Sequence, residues 1–144
     1  DAAERVAAAS DVIEFLPRVP ESELPGIYAN ADLYMFPTLH DGYAAVLAQA
    51  RAGCLPIIAT DHCAAPDMIT NGENGWIIPT RRADLMTEKL LQLDENREQA
   101  VQMVENLWTK SDTRDWADVG RDFILLAAKA LQARSLGRLD SAMQ

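Results

Sequence analysis

Between Leu33 and Ala52 a strand runs directly into a helix, and that order constrains the fold more than any other stretch of the chain. The apolar run Leu33-Tyr34-Met35-Phe36 is closed by Pro37 and reads as a buried strand. After a short loop, Tyr43, Val46, Leu47 and Ala50 recur at i, i+3, i+4 and i+7, which predicts a helix over Gly42–Ala52. The order then repeats. Leu55–Ala59 is an apolar strand with its proline near the start, Ala65–Thr70 a helical turn, Asn71-Gly72-Glu73-Asn74 a turn, and Gly75-Trp76-Ile77-Ile78 a last strand. Upstream, Val12-Ile13-Glu14-Phe15-Leu16 predicts a strand ended by Pro17, and Glu21–Asn30 a helix with Pro25 in its first turn. Strands alternating with helices at this spacing imply a parallel α/β sheet.

From Ala83 onward the pattern is helical throughout. Met86, Leu90 and Leu93 mark one helix, and Val101, Val104 and Trp108 the next. A last helix from Thr113 to about Ala133 carries Val119, Phe123, Leu126, Ala127 and Ala130, a stripe expected to need a packing surface, with a polar, fraying tail behind it. Ala2–Ala9, interrupted by Glu4 and Arg5, reads as helix rather than as a signal peptide. The organisation expected is a Rossmann-like unit over residues 1–112 and a helix with polar tail over 113–144.

Composition excludes several classes of function. The 144 residues suit one domain, and an apolar fraction of 49% suffices for a core. A net charge of -9 argues against a nucleic-acid partner, which needs a basic face. No apolar run approaches the roughly 20 residues that span a bilayer, though membrane contact is left open. Two cysteines, Cys54 and Cys63, make no disulfide framework, so a reduced, cytoplasmic setting is expected. His62 and Cys63 resemble a metal pair, but nothing supplies further ligands, and no metal is expected. His40 reads as a loop residue, because no third group orients it as a base.

The loop after Phe36 is the first place to look for a ligand. A loop that leaves a strand and opens a helix gathers free backbone N–H groups, and with the helix dipole these favour an anion such as a phosphate. In parallel sheets, ligands sit at the carboxyl ends of strands.

Taken in order, the segments resemble the donor-binding, C-terminal half of retaining glycosyltransferases of the GT-B fold, the group 1 family. The pieces that carry the resemblance are Val12–Leu16, Glu23–Asp32, Phe36-Pro37-Thr38, Asp41-Gly42-Tyr43, Leu55–Thr60, Pro66-Asp67 and Asn71–Gly75, with Trp116 where the family opens its last helix with tryptophan. The resemblance implies a three-layer α/β/α parallel sheet with a helical C-terminal segment. It also implies transfer of a sugar, of hexosyltransferase type, from a nucleotide-sugar donor to an acceptor hydroxyl with retention, and no cofactor.

Site residues follow from the same resemblance. The family has two acids eight residues apart. The first resembles Asp41, which would lie by the donor sugar as the catalytic position. The second falls on Gln49, which would hold the ribose through an amide instead of a carboxylate, without the charge-assisted gain. Gly42, Tyr43, Ala44 and Ala45 stand where the family has Gly-Phe-Gly-Leu, and their amides would hold the phosphates. Pro17 replaces a glycine closing the early strand, and Cys63 and Ala64 replace paired glycines. Residue chemistry alone also allows Asp41 to be a helix N-cap, Gln49 a solvated position, and Tyr43, Val46 and Leu47 core.

In the family sheet order 3-2-1-4-5-6, Val12–Leu16 would stand apart from Leu33–Phe36 by two strands this sequence lacks. The glycine-rich loop, the basic pair that holds the donor phosphates and the acceptor domain are lacking too. The expectation is therefore a piece of an enzyme, inactive alone, completed by its N-terminal part or by a self-associated copy. The alternative is a non-catalytic glycosyltransferase-like module that binds a nucleotide or serves as a scaffold.

Overall fold

The computed structural model describes residue 5, residues 10–110 and residues 115–142, with side chains through residue 134. The helix expected over Ala2–Ala9 lies outside these residues apart from Arg5, as does Thr113. The chain divides into two compact units, Asp1–Ser111 and Asp112–Gln144.

The first unit is built on three parallel strands, β1 (Tyr34–Phe36), β2 (Ile57–Thr60) and β3 (Gly75–Ile78), in the order β1-β2-β3. Tyr34 pairs with Ile57, and Ile57 with Gly75, so each strand lies beside its successor in sequence. β2 is buried along its whole length, as a central strand covered on both faces must be. The period of two then sorts its side chains. Ile57 and Ala59 join one core with Leu47, Ala50, Leu55 and Ala65, and Ile58 joins a second with Trp76, Ile78, Met86, Leu93 and Met103. Two cores on opposite faces of one sheet make the three-layer, Rossmann-like arrangement.

The helices supply the outer layers. A 3₁₀ turn (Glu21–Glu23) leads into α1 (Leu24–Ala29), with Pro25 in its first turn. α2 (Ala45–Ala52) and α3 (Ala65–Met68) bring Leu47, Ala50 and Ala65 to the first core. α4 (Ala83–Glu95) and α5 (Arg97–Thr109) cover the other face. Between them Asn96 caps α5, its side chain accepting from the Gln99 amide at 3.3 Å.

Four sequence expectations are corrected. Val12–Leu16 forms no strand; Val12 is 92% exposed, and none of the described residues pairs with the segment. An apolar run becomes a strand only when a neighbouring ladder takes its N–H and C=O groups. α2 starts at Ala45 instead of Gly42, so Tyr43 lies off the helical face, exposed, and is not core. On α5 the buried residues are Met103 and Leu107, while Val101, Val104 and Trp108 point to solvent. In the second unit, α6 runs from Trp116 to Ala142, past the end expected near Ala133, because no proline interrupts it. The apolar stripe of α6 is exposed.

α2 ends in a left-handed turn at a residue that is not glycine. Cys54 has φ 55°, the Leu55 amide reaches back to the Ala50 carbonyl at 3.0 Å, and the Cys54 amide reaches that of Arg51 at 3.0 Å. This is the Schellman geometry that glycine usually closes. Cys54→Gly is expected to raise stability by about 1 kcal/mol, since the Cβ penalty at positive φ is removed. Urea unfolding of the two proteins measures it.

Candidate functional site at the carboxyl edge of the sheet

Two loops meet where β1 and β2 end. The first carries Thr38 to Ala44, the second Asp61 to Ala64. Two contacts hold them together, and a third closes the second loop on itself. The buried Thr60 hydroxyl donates to the Thr38 carbonyl at 2.6 Å, the Asp41 amide donates to the His62 carbonyl at 3.0 Å, and the Cys63 thiol donates to the Thr60 carbonyl at 3.2 Å. His40, Asp41, Gly42, Asp61, His62 and Cys63 line an open concavity of about 430 Å³.

Asp41 is half-buried, and its Oδ1 accepts from the Ala44 amide at 2.6 Å. Ala44 is the residue before the helix, so the contact closes the loop as an Asx-type turn and leaves the first helical amides alone. Those of Ala45 and Val46 have no helical carbonyl within reach. Ala44 itself has φ 55° and ψ 67° and is buried. The third residue of Gly42-Tyr43-Ala44-Ala45, where the resemblance implies glycine, therefore adopts the backbone conformation that glycine favours. Gly42 and Tyr43 are exposed.

Gln49 lies farther along α2, half-buried, with its Oε1 accepting from the Tyr28 hydroxyl at 3.2 Å. It lines a largely apolar hollow of about 420 Å³ between α1 and α2, with Leu24, Pro25, Tyr28 and Gly53 among its walls. Of the predicted residues, then, the structure brings Asp41 and Gly42 to one concavity and places Gln49 in another. Tyr28 was not singled out from sequence, and only its contact with Gln49 reveals it.

Asp61 was also not singled out, although its place after an apolar strand was a signal. Its Oδ1 accepts from the Thr80 hydroxyl at 2.7 Å and the Thr80 amide at 2.9 Å, tying the β2 loop to the segment after β3. The Thr80 hydroxyl, then its amide, hold the Asp61 carboxyl below the usual aspartate range. A lowered native value stabilises the fold above the unfolded-state value, and that contribution is lost as pH falls through the native one. Thr80→Val is therefore expected to return Asp61 toward ordinary titration and to shift the acid limb of unfolding upward. Carboxyl-detected NMR titration of the pair reads both.

Comparisons with known proteins agree with this architecture. The family model described as glycosyl transferases group 1 matches residues 6–107. The D-inositol 3-phosphate glycosyltransferase of Corynebacterium glutamicum is 28% identical over 105 residues, covering 73% of this chain and 25% of that protein. The amylovoran biosynthesis glycosyltransferase AmsK of Erwinia amylovora is 25% identical over 109 residues, covering 72% and 27%. This chain thus spans about a quarter of the length of these relatives. Among solved structures, sucrose-phosphate synthase from Thermosynechococcus elongatus superposes with a TM-score of 0.75 at 16% identity, over 90% of this chain and 34% of that one. The C-terminal domain of a group 1 family glycosyl transferase from Francisella tularensis gives 0.57 at 23% identity, over 67% and 49%.

Proposed function

Because this chain belongs to the glycosyl transferases group 1 family, we propose that its sheet edge is the donor side of an enzyme that moves a sugar from a nucleotide-sugar to an acceptor hydroxyl with retention. The observation that carries the reading is the placement of Asp41 and Gly42 in the loop that leaves β1 and opens α2, whose first helical amides have no helical carbonyl within reach. Those amides and the helix dipole suit a diphosphate, Asp41 the sugar, and Gln49 the ribose hydroxyls. The reaction would need no metal, because backbone dipoles and cationic groups stabilise the leaving diphosphate. In this reading the cationic groups and the acceptor side come from the N-terminal part of the enzyme or a second copy, and the setting is cytoplasmic.

The test is an NMR titration of this chain with uridine, guanosine and adenosine diphosphate sugars. The expected result is weak binding, with a dissociation constant on the order of 1 mM, and amide shifts confined to Tyr28, Gly42–Ala50 and Asp61–Cys63. Gln49→Glu should tighten binding about fivefold, since a carboxylate accepts ribose hydroxyls with a charge-assisted bond while still taking the Tyr28 hydroxyl. Shifts elsewhere, or none, would remove the proposal.

One observation favours a non-catalytic module of the same descent. The Asp41 carboxylate already serves the Ala44 amide, a role that needs no ligand.

A further inference from the structure

The chain has two histidines, His40 and His62, and both line the open concavity at the ends of β1 and β2. They arrive from different loops, His40 just before Asp41 in the first and His62 just after Asp61 in the second. The Asp41 amide, donating to the His62 carbonyl at 3.0 Å, fixes the two backbones side by side. The other polar side chains of the concavity are committed within the fold. Asp41 Oδ1 takes the Ala44 amide, Asp61 Oδ1 takes the Thr80 hydroxyl and amide, and the Cys63 thiol donates to the Thr60 carbonyl. Both histidines are exposed, and among the described residues neither imidazole makes a hydrogen bond.

A nucleotide-sugar carries its negative charge on two esterified phosphates, and a chain of net charge -9 repels it. We propose that His40 and His62, when protonated, donate to that diphosphate, so that this chain holds a nucleotide-sugar more tightly in mildly acidic solution than near neutrality, a step that rests on the donor-side reading of this edge. Each imidazolium brings one positive charge and two N–H donors, and the phosphate oxygens are the matching acceptors.

The sign of the pH dependence follows from the groups around the concavity. Beside the histidines these are Asp41 on the first loop, Asp61 and Cys63 on the second, Asp67 on α3, and, on the segment after β3, Arg81 and the Arg82–Asp84 pair. Histidine is the residue type whose charge changes between about pH 5 and 8. Aspartate titrates below that range, and cysteine and arginine above it. The Asp61 carboxyl is moreover held below the usual aspartate range by Thr80. As pH falls through the range, the concavity gains positive charge at the two rings and nowhere else, and affinity for a diphosphate rises.

The test is calorimetric titration of this chain with uridine, guanosine and adenosine diphosphate glucose at about pH 5.5 and about pH 7.5, with the imidazole ring protons followed by NMR. The ligand's charge is the same at both values, because both phosphates are esterified. The tightest of the three is expected to bind about tenfold more strongly at the lower pH. By linkage, bound donor should raise the two imidazole titration midpoints by about 1 pH unit in sum. His40→Gln and His62→Gln should each cut the ratio to about threefold, and the double variant should bind equally at both values. Equal affinity of the parent at both values would overturn the proposal and leave the donor-side reading standing. A ratio that survives in the double variant would do the same, because it would come from groups other than the imidazoles. No binding at either pH would remove both.

Discussion

Gly75→Ala is expected to unfold the sheet or to cost on the order of 3–5 kcal/mol. Gly75 opens β3 with φ 156°, and in register it lies beside Ile57. A Cβ built there would stand 2.0 Å from the Ile57 carbonyl oxygen and 2.9 Å from the Ile57 carbonyl carbon and amide nitrogen. Those atoms belong to the buried central strand and cannot yield as a flexible side chain would. Gly72 supplies the control. It has φ 81°, but a methyl added to it would meet nothing within 4 Å, so Gly72→Ala should cost only the left-handed backbone penalty, about 1 kcal/mol. Urea unfolding of both variants separates close approach from backbone conformation. Equal losses would mean that the Ile57 contact is not what requires glycine.

Asp41→Asn is expected to leave stability within about 0.5 kcal/mol of the parent while lowering the sugar transfer proposed above by a factor on the order of 100. The side-chain amide oxygen of the variant can still accept from the Ala44 amide, so the loop stays closed and only the charge is lost. Asp41→Ala should lose both, with about 1 kcal/mol of stability gone as well. Turnover and thermal unfolding measured on the same three proteins give the answer. If Asp41→Asn is fully active, the carboxylate only closes the loop, and the non-catalytic reading gains.

Much of this fold was legible from pattern. β3 and the parallel order of the sheet follow from short apolar runs closed by proline, glycine or a turn, because such runs can be buried only as strands between helices. The position of Asp41 follows too, since Pro37 stops a strand and the helical period begins soon after it. Other features were not legible, and each has a reason in packing. On α5, Ala100, Met103 and Leu107 share the spacing of Val101, Val104 and Trp108, so two stripes compete on one helix. The sheet's second core, already holding Trp76, Ile58 and Met86, buries the thinner stripe and leaves Trp108 76% exposed. Likewise the helix after Asp41 could start at Gly42 by its period. The Asp41–Ala44 contact and a left-handed Ala44 delay it to Ala45, turning Tyr43 outward.

Residue order alone was enough for the class of fold and the end of the sheet to examine, because periodicity, proline and glycine act over a few residues, and the resemblance of the ordered motifs was enough for the family. Three features waited on long-range packing. Val12–Leu16 is not a strand, the buried face of α5 is the one with Met103 and Leu107, and Gln49 turns toward Tyr28 in a hollow apart from Asp41. Each of those depends on which distant atoms fill a space or take a hydrogen bond, and no local pattern records that.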